Sequence, residues 1–253
     1  MGGATGTGKS NLLNAWLVSL CSRHAPDQVR FWLMDLKRVE LAPYAGLPHV
    51  ERVAREPGEA TALLDDLIGE MQRRYRQLEQ AGLQKLEELP AAGRPPRLVL
   101  VVDELAQVAL GELGQEHLRR LVRITQLGRA AGIHVILATQ RPGVDVCPSP
   151  LKANVPARLA LSMATMQDSR VILDQNGAEE LEPPGQAILV RGVETVRVMT
   201  PFLSGEERRQ RLVYSRGGVA SGAGHADARR GTRAAGGARF AAAEPVADHA
   251  GDL

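Results

Sequence analysis

Residues 3–10 read GATGTGKS and satisfy the pattern G-x-x-x-x-G-K-[ST] at every fixed position. Gly3, Gly6 and Gly8 let the backbone of Ala4, Thr5 and Thr7 curl so that successive N–H groups point inward, a geometry that cradles phosphates. Lys9 would bring an ammonium to the β/γ-phosphates, and the Ser10 hydroxyl would ligate Mg²⁺. A second acidic motif lies downstream. The run RLVLVV ends in Asp103-Glu104, which is how a buried strand delivers acids to its carboxyl edge. There Asp103 would hold the Mg²⁺ shell through water, and Glu104 would orient and activate an attacking water. A third run, IHVILA, ends in Thr139-Gln140-Arg141-Pro142, a polar edge able to sense the γ-phosphate. The chemistry indicated is phosphoryl transfer from ATP to water.

Alternating strands and helices are needed to hold these groups. Apolar spacing predicts a first helix over 11–22, with Leu12, Leu13, Trp16, Leu17 and Leu20 on one side. Val29–Met34 reads as a strand whose end carries Asp35-Leu36-Lys37, at the edge where open α/β sheets place ligands. A brief strand at 50–53 and a long amphipathic helix over 58–82 follow. Arg73, Arg74 and Arg76 on that helix read as a solvated face, with a DNA-facing role as the alternative. Arg97–Val102 is the most hydrophobic strand, followed by a helix over 116–131 closed by Gly132 and a strand over 133–138. Residues 151–154 read as a polar segment, 158–162 as a strand, and Met166–Leu173 as a helix. Strands at 186–190 and 195–199 make a hairpin about Gly192, and 206–214 is a last helix. A phosphate loop normally follows a strand. Only Met1 and Gly2 precede this one, so the sheet is expected to lack its first strand and the chain to be a fragment.

Composition narrows the class. Hydrophobic residues make up 44% of 253 and charged residues 24%, values ordinary for a soluble globular protein. Net charge is +2, so polyanion binding must come from local placement rather than a whole-chain field. Cys21 and Cys147 have no metal-type spacing and read as incidental thiols in a reducing cytoplasm. No apolar run reaches the ~18 residues of a membrane span, and a myristoylation reading fails at Gly6, where Ser or Thr is required. A cytoplasmic protein is expected, membrane-associated only through an upstream anchor. From 215 to 253 the composition turns to Gly, Ala and Arg, and a disordered tail is expected.

Several segments, in order, resemble the motor domain of the FtsK/SpoIIIE family of DNA translocases. They are VRFWLMDLKRVELAPYAGLPHV (29–50), EMQRRYRQL (70–78), GRAAGIHV (128–135), LATQRPGVDV (137–146), LKANVPARLAL (151–161) and DSRVILDQNGAEEL (168–181). The resemblance spans residues 3–202. It implies a RecA-like α/β P-loop fold with a mostly parallel sheet and flanking helices over 1–214. It also implies hexameric rings and ATP-driven tracking along double-stranded DNA. Lys9, Ser10, Asp103 and Glu104 would serve ATP–Mg²⁺, Gln140 would sense the γ-phosphate, and Arg158 or Arg170 would complete a neighbour's site. The family's small domain before the loop and its winged-helix module after residue 214 are not expected in this chain. Two other readings stay open at this level. One is a ring ATPase of type VII secretion or conjugative coupling. The other is a truncated remnant without turnover.

Overall fold

The computed structural model describes residues 1–216. The expected tail lies outside the described residues beyond Arg216. Helix α1 (Lys9–Arg23) leaves the glycine-rich loop directly, because Gly8 at φ 104° turns the backbone into it. Strand β1 (Val29–Met34), strand β2 (Val50–Ala54), helix α2 (Pro57–Ala81) and strand β3 (Arg97–Val102) follow. Then come α3 (Leu105–Ala109), α4 (Gly114–Leu127) and β4 (Ile133–Leu137). The chain continues through α5 (Ser149–Ala153), β5 (Ala157–Leu161) and α6 (Met166–Leu173). The hairpin β6 (Gln186–Arg191) and β7 (Glu194–Met199) leads to α7 (Gly205–Arg216).

Strands β2-β1-β3-β4 form a parallel sheet, and β5-β6-β7 form an antiparallel one. Strand β3 is buried on both faces, which explains its unbroken apolar run. Leu98, Leu100 and Val102 pack with Leu64 and Leu67 of α2 and Leu121 of α4. Val99 and Val101 pack on the other face with Leu13 and Leu17 of α1. The parallel sheet is thus a three-layer α/β unit whose strand ends all point toward the loop's side of the molecule.

The slot expected to lack a strand lies between β4 and β5, and the first residues of the chain run into it. Gly2 bridges Thr139 and Ala160, parallel to both. Its N–H donates to Leu159 O (2.9 Å), and its carbonyl accepts from Leu161 N (2.9 Å). Thr139 N donates to Met1 O (3.1 Å), Gly3 N to Thr139 O (3.2 Å) and Ala4 N to Ser162 O (3.0 Å). These few residues stitch the two sheets together. Beside them lies a cavity of about 290 Å³ lined by Trp16, Leu137, Cys147, Leu159 and Ile172.

Three local expectations differ from the structure. Helix α4 stops at Leu127 rather than running to 131. Gly132 adopts φ 68° there, and a Cβ on it would come within 2.2 Å of Leu86 Cδ2. The segment read as polar at 151–154 belongs mostly to α5, a short helix with Pro150 in its first turn, where a missing N–H costs nothing. Arg74 is not on a solvated face. It is 1% exposed, and its guanidinium donates to Glu70 Oε1 (2.7 Å), Ala131 O (2.9 Å) and Pro96 O (2.8 Å).

Candidate nucleotide site

Three carboxyl edges of the sheet and the loop at the start of α1 build the site. The loop holds its own shape. Thr7 Oγ1 donates to Ala4 O (2.7 Å), and Gly185 N donates to Thr7 O (3.0 Å). Gly6 at φ 82° and Gly8 at φ 104° occupy the left-handed region. A Cβ on Gly3 would come within 2.8 Å of Thr7 Oγ1, whereas a Cβ on Gly6 would meet nothing within 4 Å. The cradle is therefore packed at its base and open at Gly6.

Lys9 points inward and is 3% exposed. Its ammonium donates to Asp103 O (3.0 Å) and Asp103 Oδ1 (3.2 Å). Asp103 directly follows β3 and is itself 3% exposed. Burial pushes its carboxyl above the ordinary range, with the Lys9 ammonium pulling the other way. Glu104 is the next residue and immediately precedes α3. Its Oε1 accepts from Thr139 Oγ1 (2.7 Å) and from Gln140 N (3.1 Å). Its Oε2 accepts from Gln140 N (3.1 Å) and, at 3.5 Å, from Lys37 Nζ. Thr5 Oγ1 donates to Gln140 Oε1 (3.3 Å), tying the loop to the end of β4.

Lys9, Asp103, Glu104 and Gln140 are thus brought together, with Thr5 of the loop beside them. Ser10 follows Lys9 in the first turn of α1, half-buried. Arg158 and Arg170 do not bond to this cluster. Arg158 and Lys152 both pair with Asp174. Arg170 is exposed, and its Nε donates to Asn176 Oδ1 (2.7 Å). Sequence reading placed Lys37 and Thr139 at strand ends without giving either a partner. Their contacts to Glu104 depend on the β1-β3-β4 order, which spacing along the chain does not state.

The donor set fits a nucleoside triphosphate. A curled loop of N–H groups meets a helix N-terminus and a buried ammonium, all of which favour clustered negative charge. Among the described residues no group of three or more His, Cys, Asp or Glu side chains is arranged to hold a metal ion. A divalent cation would take the Ser10 hydroxyl directly and the Asp103 carboxylate through water, with phosphate and water oxygens completing its shell.

Comparison with known proteins places the chain among relatives. The FtsK/SpoIIIE family profile matches residues 1–94 and 86–144. DNA translocase FtsK of Corynebacterium glutamicum is 42% identical over 224 residues, covering 81% of this chain and 24% of that protein. The FtsK of Mycobacterium tuberculosis H37Rv is 40% identical over 224 residues, covering 81% and 27%. The chain therefore spans about a quarter of the length of these relatives. Among solved structures, the pCW3 conjugation coupling protein TcpA, in its monomer form with ATPγS, superposes with a TM-score of 0.73 at 25% identity. That match covers 84% of this chain and 63% of TcpA. The cytoplasmic domain of the type VII secretion ATPase EccC of Thermomonospora curvata gives 0.72 at 29% identity, covering 83% and 27%.

Proposed function

The chain belongs to the FtsK/SpoIIIE family, and from that premise we propose that it is the ATP-hydrolysing motor module of a double-stranded DNA translocase. The observation that carries this reading is that two hydrogen-bonded sets, Lys9 with Asp103 and Glu104 with Thr139 and Gln140, meet at the adjacent acids Asp103 and Glu104. Lys9 exchanges its bonds to Asp103 for β/γ-phosphate oxygens. Ser10, and Asp103 through water, would hold a magnesium ion. Bound there, magnesium would neutralise charge on the phosphate oxygens. Glu104 orients the attacking water and takes up its proton as the γ-phosphorus–oxygen bond to the leaving diphosphate breaks. Gln140, bonded to Thr5 and to Glu104 through its backbone, senses the γ-phosphate.

The motor works as a cytoplasmic ring of identical subunits, hexameric as in the family reading, with duplex DNA threaded through it. It serves chromosome partition or transfer of a mobile element. A neighbour's arginine completes each site. Arg170 suits that role better than Arg158, because it is exposed whereas Arg158 is committed to Asp174. The described residues form one ATPase domain, with 1–214 as its extent.

The test is ATP turnover by the purified protein across a duplex DNA titration. Turnover should rise with DNA, fall steeply with added salt, and vanish in Lys9→Ala. Flat turnover across the titration would sink the DNA reading. The TcpA and EccC likenesses support a second reading, a coupling or secretion ATPase of the same core. Stimulation by small secreted proteins in place of DNA would favour it. In mixed assemblies, Arg170→Ala subunits should lose ~10³-fold of turnover alone and regain part of it when combined with Lys9→Ala subunits.

A further inference from the structure

Asn14 lies one turn beyond Ser10 on α1 and is buried, and its amide joins three other parts of the chain. Its Nδ2 donates to Ser10 O (2.7 Å). Its Oδ1 accepts from Tyr44 Oη (2.6 Å) and from Arg208 Nη1 (3.1 Å). The reverse orientation would set the amide N–H groups against a guanidinium, which has no acceptor. Tyr44 is 1% exposed, in the turn Ala42–Tyr44 after β1. Burial pushes its phenol up, so it stays a neutral donor. Arg208 arrives from the other side, on α7. Asparagine is a poor residue for a helix interior, where it competes with the backbone. Its place at this junction therefore serves something other than helix stability.

Asn11, directly after Ser10, is tied to the same side. Its Nδ2 donates to Leu203 O (2.7 Å), and its Oδ1 accepts from Leu203 N (3.1 Å). Leu212 of α7 is buried in the same cluster as Leu13 and Leu17 of α1. Helix α7 and the segment leading to it thus bear on the turn of α1 that carries Ser10.

We propose that Asn14 is a positioning residue for the cation site, fixing the turn that aims the Ser10 hydroxyl and linking it to Tyr44 and Arg208. The inference rests on the reading of Ser10 as a magnesium ligand. Asn14 acts only through the Ser10 carbonyl, in the way that groups just outside a metal's own ligands set its affinity.

The experiment measures the Kd of a fluorescent ATP analogue with magnesium and with EDTA. It also follows amide hydrogen exchange of residues 8–12 in the ligand-free protein. The variants are Asn14→Asp, Tyr44→Phe, Arg208→Met and Ser10→Ala, each checked by thermal melting. Asn14→Asp keeps an oxygen for Tyr44 and Arg208 and loses only the donor to Ser10. It should weaken binding about tenfold with magnesium, leave binding in EDTA unchanged, and speed exchange at 8–12. Tyr44→Phe and Arg208→Met should each act in the same direction by about threefold, the net worth of one hydrogen bond. A purely structural Asn14 would lower the melting temperature and shift both Kd values alike. Equal shifts in Asn14→Asp, or none, overturn the positioning role. Should that variant not fold, Tyr44→Phe and Arg208→Met decide by the same criterion. Ser10→Ala should erase the difference between magnesium and EDTA. Survival of that difference overturns the Ser10 assignment and the positioning role with it, whereas its loss there beside an unselective Asn14→Asp overturns the positioning role alone.

Discussion

At the scale of single residues, the site and the scaffold use buried charge in different ways. Lys9 and Asp103 form a buried pair to which the proposed function gives two tasks, phosphate binding and cation holding. The pair around Arg74 is structural. Its guanidinium joins α2 to the segments entering β3 and β4 through two backbone carbonyls, and Glu70 supplies the countercharge. Burial pushes the Glu70 carboxyl up, but hydrogen bonds from Arg73 and Arg74 outweigh it and hold the group below the ordinary carboxylate range. A carboxylate with a depressed folded pKa adds stability above its unfolded value, and that stability is lost as pH falls through the folded value. Glu70→Gln should therefore lower stability by about 2 kcal/mol at pH 7, since a buried Arg74 loses its counterion. The gap from wild type should close on acidification below the unfolded carboxylate range. Denaturant melts at pH 7 and in the acid limb measure both. At the same scale, burial pushes the Cys21 thiol up to about 12. Native protein at pH 8 should leave Cys21 unlabelled by iodoacetamide, and unfolded protein should label it, as peptide mass mapping would show.

At the scale of elements, most of the site was legible because its parts announce themselves locally. The loop, the apolar run before Asp103-Glu104, and the run before Thr139-Gln140 each carry their own pattern and need no knowledge of neighbours. What sequence reasoning missed depends on which strand lies beside which. Lys37 meets Glu104 because β1 and β3 are adjacent with Met34 opposite Val102. Arg74 is buried because α2 crosses the starts of β3 and β4, although its spacing along the helix looks like a solvated position. Helix α3 spans only Leu105–Ala109, too short to show a period. The loop offers a test of element geometry. Gly6 and Gly8 both need the left-handed region, where an L side chain costs ~1–2 kcal/mol. Gly6→Ala pays only that backbone strain, since its Cβ meets nothing within 4 Å. Gly3→Ala meets no left-handed strain but brings its Cβ within 2.8 Å of Thr7 Oγ1 and 3.1 Å of Leu161 Cβ. Fluorescent ATP-analogue binding should be weakened by both, and thermal stability should fall further in Gly3→Ala.

At the scale of the whole molecule, residues of the parallel and antiparallel sheets share one core, in which Leu100 and Val102 join Ala160 and Ile188, and no helix among the described residues is long and apolar enough to cross a membrane. Local patterning revealed both halves but not how they meet. The bridging residues are glycine-rich and too few to show any period. The cavity beside them has a reporter built in, because Trp16 forms part of its wall. An apolar dye entering it should change Trp16 emission, and Trp16→Phe should abolish that change while leaving dye uptake intact.

Gly2 and Gly3 are both the seam between two differently built half-sheets and the first turn of the loop that ends in Lys9. On the proposed function, grip on a triphosphate and alignment of the halves would consequently be one mechanical coordinate. A sliding of the antiparallel half against the parallel half would carry Lys9 along, and a load applied far from the loop would be felt as a change in how tightly the fuel is held.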